Sequence, residues 1–170
     1  MREAWAVVES FWGETMERAR TLPEADLHRS VNDEWSFTET LRHLVLVTDS
    51  WVSHAIAGQP RPFHPLGLPP SFVPDHESFG IDTGATPTFD EVAEVRAGRI
   101  ASVRALLEAV TQEDLDRVRP PNTAPGGPPP ASRTATSCLH VVFDEEWAHH
   151  RFAVRDLSII EAERTGPEPG

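Results

Sequence analysis

The stretch EEWAHHRFAVRDL, Glu145 to Leu157, carries two glutamates and two histidines within an amphipathic pattern near the end of the chain. The apolar residues around it recur at three- and four-residue steps, which is typical of a helix that buries one face. The members of this apolar stripe are Leu139, Val142, Phe143, Ala153, Leu157 and Ile160. Glu145 and His149 fall on another, partly polar face. Continued through the gap, the stripe includes Glu146 and His150, so the sequence predicts that these two side chains point inward.

The spacing of Glu146 and His150 is compatible with a shared metal ion. Residues four apart lie one above the other on a helix, with Cβ atoms roughly 5–6 Å apart, and the same spacing makes H-E-x-x-H a zinc motif. A hydrogen-bonded ion pair between the two residues is the alternative. A carboxylate in an apolar seam is costly unless it is paired or bound to metal, and one histidine offsets only part of that cost. This argument favours a metal site, with His43 as the best candidate for a third ligand, although His43 lies at the flank of its own helix's apolar stripe.

Four helical segments account for most of the chain. They are predicted from about Arg2 to Arg20, Ser36 to Gly58, Phe89 to Val110, and Ala135 to Glu163. Ser36 and Glu39 have capping-box spacing at the start of the second helix, and Gly58 closes it. Residues 119–132, RPPNTAPGGPPPAS, contain six prolines and two glycines and are not expected to be regular structure. No β-rich run competes, so we expect an all-α, four-helix bundle.

The connection between the second and third helices, residues 59–88, is about thirty residues long, which is uncommon in a compact domain. It is too apolar for a solvated linker, since it contains Phe63, Leu66, Leu68, Phe72, Val73, Phe79 and Ile81. We expect it to lie across one end or side of the bundle and to wall off a pocket. Residues 1–164 are thus predicted to form a single domain, followed by a flexible tail at residues 165–170.

The composition restricts the partners and the compartment. In 170 residues the formal net charge is -12, and all 15 basic residues are arginine, a bias that we attribute to a GC-rich genome such as that of an actinobacterium. The acidic balance argues against a nucleic-acid or anionic-membrane partner. A signal-peptide apolar region and a stretch of transmembrane length are both lacking, and the single cysteine, Cys138, permits neither an intrachain disulfide nor a thiolate cluster. We therefore expect a cytoplasmic protein without membrane attachment.

Two stretches resemble the DinB/YfiT-like superfamily. NDEWSFTETLRHL, residues 32–44, is similar to the Trp-Ser-x-x-Glu-x-x-x-His-Leu start of its second helix, and residues 145–157 are similar to its last helix. The resemblance covers most of the chain and implies a metal held in a four-helix bundle by a histidine of helix two and a pair four apart on the last helix. Carried over by position, the ligands are His43, Glu146 and His150. Glu146 stands where many members have histidine, and the His–Glu–His set is similar to that of the mycothiol-dependent maleylpyruvate isomerases.

The implied chemistry leaves three functions open. Two histidines and a carboxylate form a known catalytic zinc arrangement with one open position, and Ni, Mn or Fe would also accept it. The resemblance implies a thiol-dependent S-transferase or isomerase, in which mycothiol or bacillithiol attacks a small-molecule electrophile. The alternatives are a metal-dependent hydrolase with Asp75, His76 or Asp82 as general base, and a non-catalytic bundle that binds a metal or an apolar ligand or forms a homodimer. All metal-binding interpretations predict that His150→Ala removes the metal and that His149→Ala changes little.

Arginines are the remaining candidates for substrate binding, and no catalytic side chain is assigned. Arg96, on the buried stripe of the third helix, either holds an acidic substrate or thiol carboxylate or forms an ion pair with Glu14 or another inward acid, which is the interpretation we favour. Arg151 is a second candidate. His64 and His76, in the long connection, are weaker candidates because loop histidines are usually solvated.

Overall fold

Four long helices form a bundle in the computed structural model, which describes residues 1–71 and 74–165. In chain order the elements are α1 (Arg2–Ala19), α2 (Glu24–Leu27), α3 (Phe37–Thr48), a π-helical continuation of α3 (Asp49–Ile56), a 3-10 turn (His76–Phe79), α4 (Phe89–Ala109), α5 (Gln112–Asp116), β1 (Val118–Arg119), β2 (Arg133–Thr134) and α6 (Ala135–Thr165). The strands β1 and β2 pair antiparallel. The predicted all-α bundle, with a long connection between its second and third long helices, is confirmed.

Local signals set the ends of the long helices, which lie within two residues of the predicted ones when α3 is counted together with its π-helical continuation. At the start of α3, Ser36 and Glu39 form the predicted capping box, in which each side chain accepts a hydrogen bond from the other residue's backbone N–H. Thr88 and Glu91 form a second capping box at the start of α4. Gly58, just after the π-helical segment, has a φ of 69°, a left-handed conformation that glycine adopts without strain.

The core runs the length of the bundle. Its fully buried apolar side chains include Trp5, Trp12, Leu41, Leu44, Leu139 and Leu157. The helix α3 is buried on nearly every side, as its apolar composition predicts, because it packs against both α4 and α6. No helix in the described ranges is long and apolar enough to cross a membrane.

The described part of the long connection packs on α3. Phe63, Phe79 and Ile81 form a small apolar cluster with Leu46 of α3. Arg42, also on α3, donates to the backbone carbonyls of Leu66, Asp82 and Ala85 at 2.9, 3.4 and 3.1 Å. These bonds hold two separate parts of the connection against one helix. Two of the connection's predicted apolar residues, Phe72 and Val73, lie outside the described residues.

At the C-terminus, the helix is longer than the sequence pattern predicts. Thr165, predicted to begin a flexible tail, still belongs to α6. Residues 166–170, the rest of that predicted tail, lie outside the described residues.

The proline-rich segment lies between β1 and β2 and packs against the π-helical segment. His54 is 1% exposed, and its Nε2 donates to the carbonyl of Ala124 at 3.1 Å. Asn122 Nδ2 donates to the carbonyls of His54 and Gln59, each at 3.0 Å. A Cβ atom at Gly127 would lie only 2.1 Å from Cε1 of the His54 ring. The segment is therefore irregular but closely fitted to a buried histidine.

Gly127→Ala is expected to lower the free energy of unfolding by about 1–3 kcal/mol, because the added methyl group must displace the His54 ring or the backbone of the segment. Urea denaturation monitored by circular dichroism measures this loss. Gly98→Ala is the matched control, since a Cβ at Gly98 meets nothing within 4 Å. The control should be neutral or slightly stabilising because alanine favours the helix. Equal stability of the two variants would contradict the close contact at Gly127.

Candidate metal centre

The backbone of the long connection fixes the orientation of His43. His43 lies two turns into α3 and is 6% exposed. Its Nδ1 is 3.1 Å from the carbonyl oxygen of Leu68, and because a carbonyl only accepts, Nδ1 carries the hydrogen of this bond. The other ring nitrogen, Nε2, is directed toward α6. A histidine whose Nδ1 donates to a carbonyl is oriented in the manner typical of a metal ligand.

Glu145 and His149 of α6 meet this histidine. Glu145 Oε2 lies 3.2 Å from Nε2 of His149 and 3.5 Å from Nε2 of His43. Each of the three residues offers one ligand atom, and these atoms all lie within 4.8 Å of one another. Hydrogen bonds from His149 and His43 lower the pKa of Glu145 to about 2, so its carboxylate is ionised near neutral pH. Two imidazole nitrogens and one carboxylate oxygen are a donor set that fits a divalent cation such as zinc.

Aromatic rings pack against the two histidines of the cluster. The Trp35 ring lies 4.7 Å from the His43 ring and is stacked on the His149 ring at 6.0 Å, measured between centroids. The ring of Phe152 packs edge-on with that of His149, also at 6.0 Å. Trp35, His149 and Phe152 line a cavity of about 420 Å³, together with Thr40 and other residues. One ligand residue of the cluster is thus part of the wall of a small-molecule-sized space.

A family model described as the DinB superfamily matches residues 8–153. The chain belongs to the DinB superfamily. The matched range includes His43, Glu145 and His149 as well as all four long helices, at least in part. No curated protein and no solved structure gives a significant match.

In this DinB-superfamily protein, the structure places the ligand pair predicted on α6 away from His43. Glu146 is fully buried, as predicted, but its Oε2 accepts from the guanidinium of Arg96 on α4. His150 Nε2 lies 2.8 Å from Oγ1 of Thr15 on α1, and its ring packs 4.2 Å from that of Phe11. Burial also lowers the pKa of His150. The two predicted ligands therefore contact two other helices rather than His43.

This difference from the predicted arrangement has a geometric reason. The buried surface of α6 is wide because it packs against α1, α3 and other elements. Glu146, on the apolar stripe, is directed to Arg96 of α4. His43 lies at the flank of the stripe on α3, and a flank residue meets the flank of the neighbouring helix, where Glu145 and His149 lie. That flank position was the one signal in the sequence that favoured the pair Glu145 and His149, which has the same four-residue spacing.

The other candidates occupy structural positions. Arg96 forms an ion pair, as favoured from the sequence, but its partner is Glu146 and not Glu14. Arg151 is exposed. The backbone N–H of His64 donates to Asp49, and His64 Nδ1 accepts from the backbone N–H of Leu66 at 3.2 Å, so this histidine shapes the connection.

The loop residues considered as general bases lie elsewhere. The carboxylate of Asp82 accepts from the backbone N–H of Gly84 at 3.0 Å, and Asp75 sits at the start of the 3-10 turn with a φ of 56°. His76 begins that turn. Within the described residues, none of the three lines the cavity beside His149.

Proposed function

We propose that this protein binds a divalent metal, most simply zinc, through His43, Glu145 and His149 and catalyses a thiol-dependent transfer or isomerisation. The observation that carries the proposal is the convergence of these three ligands beside a cavity with aromatic walls. The DinB-superfamily assignment supports it. The cavity's volume, about 420 Å³, lies in the range of roughly 300–1,000 Å³ typical of small-molecule sites.

A bound divalent cation would supply positive charge that stabilises the thiolate form of a thiol, which is the reactive form. The chain orients the metal-binding side chains and places aromatic rings beside them. The Leu68 carbonyl fixes the ring of His43, and the ionised Glu145 holds the two imidazoles toward one point. The rings of Trp35 and Phe152 pack beside the His149 ring and line the cavity with it.

The thiol is expected to come from outside the chain. Cys138 is 1% exposed, and burial raises the pKa of its thiol, so it is protonated near neutral pH. It also lies two turns before Glu145 on α6. A low-molecular-weight thiol that enters the cavity, such as mycothiol or bacillithiol, is therefore a better candidate for the nucleophile than this buried side chain.

The reaction on the substrate would take one of two forms. In transfer, the thiolate sulfur forms a C–S bond with an electrophilic carbon while a leaving group departs with the bonding electron pair. In isomerisation, the thiolate adds to a conjugated double bond and is expelled again after rotation about the resulting single bond. Neither form requires an oxidant or a reductant.

Elemental analysis of protein purified without a histidine tag tests the metal centre, and the expected result is about one divalent cation per chain. Cobalt substitution followed by titration with mycothiol or bacillithiol tests the thiol. A thiol that enters the open position is expected to add a sulfur-to-cobalt charge-transfer band, which His149→Ala should lack. A bound cation whose spectrum ignores saturating thiol would contradict the thiol-dependent chemistry, and metal-dependent turnover without thiol would favour hydrolysis. Protein that never binds a stoichiometric cation would contradict the whole proposal.

A further inference from the structure

The cavity beside His149 extends away from the metal centre along α6. Asp156 also lines it, seven residues after His149, and seven residues of helix are two turns, or about 10 Å along the axis. Thr40 of α3, three residues before His43, lines the same cavity. A carboxylate and a hydroxyl group thus belong to the wall of the space into which the candidate metal centre opens.

One oxygen of each of these side chains is accessible to a ligand. Asp156 and Thr40 are each 4% exposed. The guanidinium of Arg155 donates twice to Oδ1 of Asp156, both times at 2.7 Å, and Oδ2 accepts no hydrogen bond from the described residues. Thr40 Oγ1 has no partner in that part of the chain either, whereas the hydroxyls of Thr15 and Thr48 donate to the carbonyl four residues earlier. Neither Oδ2 nor Oγ1 is sealed from solvent, so a molecule in the cavity can reach both.

The charges around the cavity favour a cationic ligand. Three carboxylates line it, those of Asp33, Glu34 and Asp156. Glu34 and Asp156 share a single counter-ion, Arg155, which pairs with both. No described residue that lines the cavity is an arginine, and the chain has no lysine. An ammonium group supplies both a positive charge and hydrogen-bond donors, whereas a carboxylate ligand is repelled and has no hydrogen to donate.

We propose that this cavity binds a small molecule with a primary ammonium group and an apolar body. The ammonium donates to Oδ2 of Asp156, and Oγ1 of Thr40 is a second acceptor in the same cavity. The apolar body packs against the rings of Trp35 and Phe152, which also line it. The assignment of this amine to the substrate that reacts at the metal rests on the proposed function, whereas binding in the cavity needs no metal.

Benzylammonium, the protonated form of benzylamine at neutral pH, is the probe. It is titrated into full-length protein freed of metal with a chelator, so that the amine cannot coordinate an ion. Calorimetry is expected to give saturable binding with a Kd of about 1 mM or tighter. Benzyl alcohol, which has the same apolar body without the charge, should bind at least about tenfold more weakly, and benzoate more weakly still. In NMR spectra the indole N–H resonance of Trp35 should shift on titration with benzylammonium, because this ring lines the cavity.

Two aspartates of α6 provide matched variants. Asp156→Asn removes the charge from the cavity wall but keeps an oxygen that accepts from Arg155. Asp144→Asn removes the same charge from an exposed position of α6 that does not line the cavity. The first is expected to weaken benzylammonium binding at least about tenfold, and the second should leave it unchanged. Glu145→Gln, at the candidate metal centre, should have a smaller effect than Asp156→Asn. Thermal melts verify that the variants fold.

Four results would overturn the proposal. They are the absence of saturable benzylammonium binding, equal affinity for benzyl alcohol, binding that survives Asp156→Asn, and binding that Glu145→Gln weakens more than Asp156→Asn does. If Asp156→Asn does not fold, the comparison of the three probes in the wild-type protein still decides. Failure of the proposed function is recognised separately, since protein that never binds a stoichiometric cation but still binds benzylammonium retains the amine site without the metal chemistry.

Discussion

His149→Ala is expected to weaken divalent-cation binding by more than about 100-fold, because it removes one of three ligands and even a lost outer-shell partner typically costs 10–100-fold. The ring of His149 lies beside Glu145 and the cavity, and its removal leaves the core of the bundle intact. Competition with a chromophoric chelator measures the affinity, and a thermal melt without metal measures the fold. The metal-free variant should therefore melt near the melting temperature of the metal-free wild-type protein.

His150→Ala is the matched control and reverses this pattern. It should bind the cation with affinity close to wild type but melt at a lower temperature, because it loses the bond to Thr15 and the packing against Phe11 and Trp12. Glu145→Gln should also lower the affinity for the cation, as His149→Ala does, since it removes the ionised ligand. Loss of the metal in His150→Ala with retention in His149→Ala would restore the ligand pair predicted from the sequence and reject the one in the structure.

Arg96→Met is expected to lower the free energy of unfolding by about 3–5 kcal/mol, the range for breaking a buried pair by removing one partner. The substitution leaves the carboxylate of Glu146, which is fully buried, without its counter-ion. Urea denaturation measures the loss. A loss of this size is a large fraction of the total stability of a typical domain.

The double variant Arg96→Met/Glu146→Leu is expected to recover most of that loss, because two apolar side chains of similar volume need no desolvated charge. It should also keep the divalent cation, since Glu146 is paired with Arg96 and does not contact His43. A double variant as unstable as Arg96→Met would show that the ion pair is not the source of the effect. Loss of the cation in the folded double variant would show that Glu146 is a ligand after all.

The helices were predictable because their signals are local. The capping box of Ser36 and Glu39, the left-handed Gly58 and the prolines after Arg119 each act within a few residues, so the sequence locates the helix ends closely. The π-helical conformation of Asp49–Ile56 was not predictable from periodicity, because residues of this segment contact residues that are distant in the sequence. One such contact joins His54 to Ala124, and another joins Asp49 to Arg99.

The sequence predicted the type of site, a histidine and carboxylate cluster, but only some of its residues. The sequence located His43 and a glutamate–histidine pair four apart on α6, and it located the inward direction of Glu146, which the structure confirms. The sequence could not show that Glu146 pairs with Arg96. This ion pair offsets the cost of burying the carboxylate, and that cost was the argument for a metal at Glu146. A periodic pattern shows which face of a helix is buried, but it does not show which neighbour covers each part of that face.

The sequence by itself determined four helices in a bundle of the DinB type, with histidine and carboxylate side chains on the last helix. The tertiary structure alone decided that Glu145 and His149 meet His43, while Glu146 meets Arg96 and His150 meets Thr15. The physical reason is the helical rotation of about 100° per residue, by which adjacent residues of α6 face different neighbouring helices. The rotation of α6 about its own axis in the bundle is set by packing against the whole core, and no local stretch of sequence specifies it.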